Sequence, residues 1–184
     1  MLITALRPED GDALLRFFRE LPEGDLTFIE EEVTDPDAVR GWARGEGGGS
    51  RWVAVDEGPD GPVVTGYVGV RALPGWSDHV GRLRLVVAPS ARGSGLGRDL
   101  ARHALVQAVS GGLTKIVVEV VAEQGAAVAL FSGLGFRGEA VLVDHVRDRE
   151  GRLRDLMVLA HHVGDTWAGM NAVGLDDALD EAPS

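Results

Sequence analysis

The sequence of 184 residues lacks cysteine altogether, has one lysine and one tyrosine, and carries fewer basic than acidic residues, 18 against 29. Without cysteine, disulfide scaffolds, thiol nucleophiles and thiolate metal sites are excluded. The net charge of -11 argues against general nucleic-acid binding, because phosphate contacts require clustered cations. The five histidines come without further ligands in reach along the sequence, so we expect neither a metal nor a nucleic-acid partner.

Long hydrophobic runs are also missing, since no stretch approaches the roughly 20 apolar residues of a membrane span. The first residues, "MLITALRPED", show neither the basic start nor the cleavage site of a signal peptide. We therefore expect a cytoplasmic protein with no membrane partner. The length suits one domain, which we place at residues 1–163, and we expect residues 164–184 to form an acidic, mobile tail.

The spacing of apolar residues predicts an α/β protein with a mixed sheet. Helices are predicted after Pro8, with an apolar stripe from Leu14 to Leu21, and over "TDPDAVRGWA", with Thr34 as N-cap. The predicted order is β-α-α-β-β-β-α-β-α-β-β, with about seven strands and about four helices. Hairpins are expected at the start and end, and parallel pairing in the middle, around the helix that contains Arg98.

The stretch "VVAPSARGSGLGRDL", Val86 to Leu100, leads from a buried strand into a helix through a turn with almost no side chains. Glycines let backbone N–H groups converge on an anion, and the helix adds its positive N-terminal end. The same pattern also fits a tight connection in which Gly93, Gly95 and Gly97 only supply positive φ angles. A P-loop is excluded because the turn has neither the glycine spacing nor the lysine of that motif. A dinucleotide fold would need a glycine at the position of Arg98 and more parallel sheet.

A third design fits the turn. Residues Arg92 to Gly97, "RGSGLG", match the pattern [R/Q]-x-x-G-x-[G/A], and here the chain resembles the GNAT superfamily of acyl-CoA N-acyltransferases. A second stretch, "AAVALFSGLGF" from Ala126 to Phe136, resembles the helix-and-turn signature of that family. A helix and a strand separate the two motifs, as in the family. The resemblance covers about residues 1–163 and implies the GNAT fold.

The resemblance implies acetyl-CoA as cosubstrate, bound where the fourth and fifth strands splay apart. Main-chain groups of the fourth strand would hold the pantetheine arm, and the turn amides would hold the diphosphate, with two arginines adding positive charge. The second motif would lie beside the arm and the thioester. The residues implied for the cofactor are Leu85, Val86, Val87, Arg92, Gly93, Ser94, Gly95, Leu96, Gly97, Arg98, Gln124 and Phe131.

The implied reaction is direct attack of a primary amine, on a small molecule or a protein, on the thioester. Because the attacking amine must be neutral, a general base would take up its proton. Many family members carry a glutamate thirteen residues before the motif's first position, and in this sequence that position is His79. The alternative is a histidine without a role at a loop edge beside Asp78. Many members also carry a tyrosine at Phe131 to protonate the thiolate, and phenylalanine cannot donate a proton.

The phenylalanine leaves a second interpretation open, a non-catalytic domain that binds CoA thioesters as a sensor or degenerate relative. A dinucleotide binder is a third.

Glu119 is interpreted as a structural acid, with an auxiliary base as the alternative, and Tyr67 is expected in the core. His103 is expected on a solvated helix face. The acidic stretch Glu23 to Asp37 is either solvated or one wall of an acceptor pocket that favours a cationic amine, and the strand "EAVLVDHV" offers an edge for a homodimer.

Overall fold

The structure is a computed structural model that describes residues 2–26, 29, 31–58 and 61–164. The predicted acidic tail, apart from Gly164, lies outside the described residues. Within the described ranges no helix is long and apolar enough to cross a membrane.

The described residues form seven strands and five α-helices in the order β1-α1-α2-α3-β2-β3-β4-α4-β5-α5-β6-β7. The strands are β1 Leu2–Ala5, β2 Ser50–Gly58, β3 Gly61–Ala72, β4 Val80–Val87, β5 Lys115–Val121, β6 Arg137–Arg147 and β7 Leu153–His162. The helices are α1 Gly11–Glu20, α2 Glu23–Leu26, α3 Pro36–Ala43, α4 Leu96–Ser110 and α5 Gly125–Ser132. The order agrees with the predicted one, except that the one-turn helix α2 is added between the first two predicted helices.

The strands form one mixed sheet in the order β1-β2-β3-β4-β5-β7-β6. Strands β4 and β5 are parallel. Strand β2 pairs antiparallel with both β1 and β3, and β7 pairs antiparallel with both β5 and β6. This arrangement confirms the predicted mixed sheet, with hairpins at both ends and parallel pairing next to α4.

Two compact units make up the structure, and each combines two segments of the chain. The first contains residues up to Arg71 together with Arg84–Leu100, and the second contains Ala72–Leu83 together with residues from Ala101 onward. Every boundary falls inside a strand or helix rather than in a linker. A single domain over residues 1–163 therefore stays a prediction.

The core of the first unit is built around α1 and α3. Leu14 and Phe18 of the predicted apolar stripe are completely buried, and the Phe18 ring packs edge-on against Tyr67 with 5.3 Å between ring centroids. Tyr67 also stacks on Trp42 at 6.4 Å, so its predicted place in the core is confirmed. Burial raises the pKa of Tyr67 to about 12, and its hydroxyl therefore stays protonated at neutral pH.

Two local predictions need correction. Helix α3 begins one residue later than expected, because Asp35 rather than Thr34 is the N-cap, with its carboxylate 3.1 Å from the backbone nitrogen of Asp37. Pro36 occupies the first helical position, where its fixed φ favours a cap directly before it. His103 is not on a solvated face: its side chain is half-buried, and burial lowers its pKa.

Candidate functional site

The glycine turn connects β4 to α4 with two residues in the left-handed backbone region. Gly93 has φ +76° and Gly95 has φ +92°, values that favour glycine. Neither position is crowded, since an added Cβ would meet no heavy atom within 4 Å. Gly97 already belongs to α4 and its φ is not positive, so the interpretation that all three glycines supply positive φ holds for only two of them.

The turn presents backbone N–H groups that have no protein acceptor within the part of the chain that the structure describes. They belong to Gly93, Ser94, Gly95 and Gly97. The Ser94 hydroxyl fixes the turn locally, because it donates to the carbonyl of Ala91 at 2.6 Å and accepts from the amide of Leu96 at 3.4 Å. Unpaired amides before a 15-residue helix have the geometry that can bind an anion.

The two arginines of the turn differ in their surroundings. Arg98 is exposed, and no acidic side chain among the described residues pairs with it. Arg92 points back to the end of β4, where Nε and Nη2 each lie 3.3 Å from the carbonyl oxygen of Val87. Its Nη2 also lies 2.5 Å from the Asp25 carboxylate. In this structure Arg98 is therefore the available cation of the turn.

The fourth strand carries the residues implied for the pantetheine arm. Strand β4 pairs with β5 through Val80, Gly81 and Arg82, and the last pair is Arg82 with Val117. Residues 85–87, which are Leu85, Val86 and Val87, follow this paired segment and are partly buried. Val86 packs against the core of the first unit.

The second motif forms α5 and the turn after it, in the second unit. Gln124 precedes α5, and its side-chain oxygen accepts a hydrogen bond from the Val121 amide at 3.3 Å, which leaves the amide NH2 group as a donor. Phe131 is 3% exposed, and its ring packs edge-on against Phe136 at 5.2 Å. Phe136 in turn contacts the His161 ring at 5.4 Å.

The two acid–base candidates, His79 and Glu119, occupy different places in the second unit. His79 directly precedes β4, and its carbonyl accepts from the amides of Thr114 and Lys115, at 3.0 and 3.4 Å. Its imidazole is 54% exposed and has Asp78 at 3.9 Å. Glu119 lies four residues beyond Lys115 on β5, about 13 Å further along an extended strand.

Glu119 is more enclosed than His79. Its carboxylate is 21% exposed and lies 3.4 Å from the guanidinium of Arg82. It follows Val117, the last β5 residue paired with β4, by two positions and so points to the same face of the strand. The structure therefore separates the two candidates and gives only Glu119 a cationic partner.

Comparison with known proteins decides the family. A family model described as "Acetyltransferase (GNAT) family" matches residues 14–136, about two thirds of the chain. The chain belongs to the GNAT acetyltransferase family. It is accordingly an acyltransferase, and the resemblance inferred from the two sequence motifs is confirmed.

Solved structures of GNAT proteins share this fold. A ribosomal-protein-alanine N-acetyltransferase from Brucella melitensis is 26% identical, with a TM-score of 0.76 over 88% of this chain and 99% of that one. A putative acetyltransferase from Salmonella typhimurium, solved with its cofactor acetyl-CoA, is 21% identical, with a TM-score of 0.74 over 89% and 94%. A spermidine N-acetyltransferase chimera from Vibrio cholerae and hSSAT is 22% identical, with a TM-score of 0.71 over 89% and 96%. The search of curated proteins found no match.

Two carboxylates in the acidic stretch of this GNAT enzyme pair with arginines. Asp25 of α2 binds Arg92, and Glu31 lies 3.3 Å from Nε of Arg84 on β4. Asp35 caps α3. Asp25 and Glu31 therefore tie the connection between α1 and α3 to β4 and the glycine turn, contacts that sequence reasoning missed because the partners are distant in sequence.

Among the described residues of the GNAT chain, no cluster of three histidine, aspartate or glutamate side chains could hold a metal ion. His161, which the sequence left without a role, is 1% exposed and lies against the turn at Gly135. Burial lowers its pKa, opposed in part by hydrogen bonds with the backbone of Leu134 and Gly135. An alternating strand pattern does not reveal this contact, because it gives no information on which turn covers the strand end.

Proposed function

We propose that this GNAT enzyme transfers an acetyl group from acetyl-CoA to a primary amine by direct attack of the amine nitrogen on the thioester. The observation that carries the proposal is the glycine turn, where unpaired amides and the exposed Arg98 face solvent in a protein of net charge -11. A diphosphate matches this combination, because it accepts several N–H bonds and its charge is compensated by the guanidinium.

Two groups of residues are proposed to hold the cofactor. In the first, main-chain groups of Leu85, Val86 and Val87 would hold the pantetheine arm and the turn from Arg92 to Arg98 would hold the diphosphate. In the second, Gln124 would offer its free NH2 group to the arm, since its oxygen is occupied by the Val121 amide. Phe131 would contribute apolar surface without a proton donor.

A general base must accept the proton that the amine loses on acylation. The position thirteen residues before Arg92 points to His79, whereas the geometry favours Glu119, which is partly enclosed and paired with Arg82. We therefore propose Glu119 as the base and keep His79 as the competing assignment.

Departure of the coenzyme A thiolate requires less help than departure of an alkoxide would. Phe131 cannot protonate the thiolate, because its side chain has no proton donor. Its ring is buried against Phe136. Water or another group would supply the proton. This substitution is the observation that favours the alternative function, a non-catalytic domain that binds CoA thioesters.

The acceptor class rests on the amine chemistry of the reaction. The similar proteins named above act, by their names, on a ribosomal-protein alanine and on spermidine, both of which present a primary amine. The proposed acceptor is the primary amine of a small molecule or of a protein. A homodimer and a cytoplasmic location stay predictions.

The test measures thiol release from acetyl-CoA with and without a panel of amines that includes spermidine and a peptide with N-terminal alanine. Amine-dependent thiol release is expected, together with heat of binding for coenzyme A. Binding without thiol release in any reaction would favour the sensor. Binding of NAD(H) without binding of coenzyme A would contradict both and favour a dinucleotide binder.

A further inference from the structure

Asp25 and Arg92 form an ion pair that connects two segments separated by 67 residues in sequence. Asp25 lies on the one-turn helix α2, in the acidic connection between α1 and α3, and Arg92 opens the glycine turn. The Asp25 carboxylate is 28% exposed and the Arg92 side chain is 49% exposed. Both groups belong to the first unit, so the contact is internal to it.

The pair places a negative charge at the edge of a surface that otherwise attracts anions. Arg92 donates to the carbonyl of Val87 and to Asp25, and its charge is compensated before any diphosphate arrives. A diphosphate on the turn would need the same guanidinium that Asp25 already holds. The two anions therefore compete for one guanidinium.

We propose that Asp25 is a built-in competitor of the cofactor diphosphate for Arg92 and thereby sets the affinity of the turn for coenzyme A. This inference rests on the proposed use of coenzyme A. Binding of the diphosphate transfers the charge of Arg92 from Asp25 to the ligand and weakens the contact that holds α2. No residue other than Asp25 is paired with the Arg92 guanidinium by an ion pair among the described residues.

The consequence reaches the short helix α2. Within α2, the amides of Asp25 and Leu26 both donate to the carbonyl of Pro22, at 2.9 and 3.2 Å. Loss of the Arg92 contact removes one support of this single turn and leaves the packing of Leu26 against the core, and a four-residue helix is not stable alone. The ion pair of Glu31 with Arg84 still holds the far end of the connection. Cofactor binding is thus expected to loosen α2 while the rest of the stretch stays in place.

The test compares coenzyme A affinity of the full chain and of Asp25→Asn by calorimetry at low ionic strength. Asn removes the charge and keeps the size. The variant is therefore expected to bind coenzyme A about fivefold more tightly, which is the size of effect expected when one competing surface charge is removed. Glu20→Gln is the matched control, because it removes an exposed carboxylate five residues away and should leave the affinity unchanged. Asp25→Glu should restore an affinity close to that of the unaltered chain.

A second variant pair isolates the role of Arg92. In an Arg92→Gln background, Asp25→Asn should lose most of its effect, because no guanidinium remains to be shared. Hydrogen exchange supplies an independent readout: coenzyme A should speed exchange at Asp25 and Leu26 in the unaltered chain.

Equal affinity of Asp25→Asn and Glu20→Gln would overturn the inference, as would slower exchange in α2 on binding or a full Asp25→Asn effect without Arg92. Failure of the unaltered chain to bind coenzyme A would instead overturn the proposed function together with this inference.

Discussion

Arg82 of β4 and Glu119 of β5 form an ion pair, with 3.4 Å between Nη2 and Oε1, at the point where the pairing of the two strands ends. The pair lies inside the second unit, and both side chains are less than a third exposed. An enclosed carboxylate with a fixed guanidinium partner has a defined orientation, which an exposed side chain such as His79 lacks. This difference leads to the first prediction.

Glu119→Gln should lower kcat by about 100-fold, because the base is lost while the shape is preserved. The dissociation constant for coenzyme A should stay within about twofold of that of the unaltered chain, since the contact is not with the diphosphate. His79→Asn is the comparison variant, and its kcat should stay within about threefold. Steady-state rates with the best amine of the panel provide the measurement. A large loss in His79→Asn with normal activity in Glu119→Gln would reverse the assignment.

Gly95→Ala should weaken coenzyme A binding by about tenfold and lower the free energy of unfolding by roughly 1–2 kcal/mol, because alanine is strained in the left-handed region. Space does not contribute, since no heavy atom lies within 4 Å of the added Cβ. Gly151→Ala is the control: it has φ +82° and equally open space, in the hairpin between β6 and β7. It should lose similar stability in denaturant unfolding but keep its affinity. Equal loss of affinity in both variants would show that the turn conformation is not specific to binding.

Arg98→Gln should raise the dissociation constant for coenzyme A by about tenfold and reduce the dependence of binding on salt, because the available cation of the turn is removed. Arg137→Gln, an exposed arginine on β6, serves as the control and should change neither quantity. Calorimetry at several salt concentrations checks both expectations. An unchanged salt dependence in Arg98→Gln would mean that this guanidinium does not face the diphosphate.

His161 should make the fold less stable in mild acid. Burial lowers its pKa below the ordinary 6.5, so the unfolded chain takes up the proton more readily than the folded one. Above pH 6.5 both states are neutral and the contribution vanishes; as the pH falls below that value, stability decreases by at most about 1.4 kcal/mol per pH unit. His161→Gln should show a smaller difference in Tm between about pH 7.5 and about pH 5.5 than the unaltered chain or the exposed-site variant His145→Gln. Identical pH dependence in all three proteins would contradict this prediction.

The parts of the molecule that the sequence predicted are those with local signals. The apolar stripe of α1, the strand before the glycine turn and the helix of the second motif each depend on residues within a few positions of one another. The N-cap of α3 was one residue off because Thr34 and Asp35 are both good caps, and only the position of Pro36 distinguishes them.

The parts that the sequence did not predict depend on residues that the topology brings together. The contact of Asp25 with Arg92 joins residues 67 positions apart, and no periodic pattern encodes such a pair. The half-buried state of His103 shows the same limit, because spacing along α4 indicates which face is apolar but not how far neighbouring elements extend over it. Charge runs are equally ambiguous, since the acidic connection proved to be attached to arginines rather than only solvated.

The most direct test of cofactor binding at the glycine turn is a ¹H–¹⁵N NMR titration of the full chain with coenzyme A. The amide signals of Gly93, Ser94, Gly95 and Gly97 should shift more than those of any other region and move downfield, as expected for amides that gain a charged acceptor. Unshifted signals at these four amides in the presence of saturating coenzyme A would contradict the assignment of the turn as the diphosphate site.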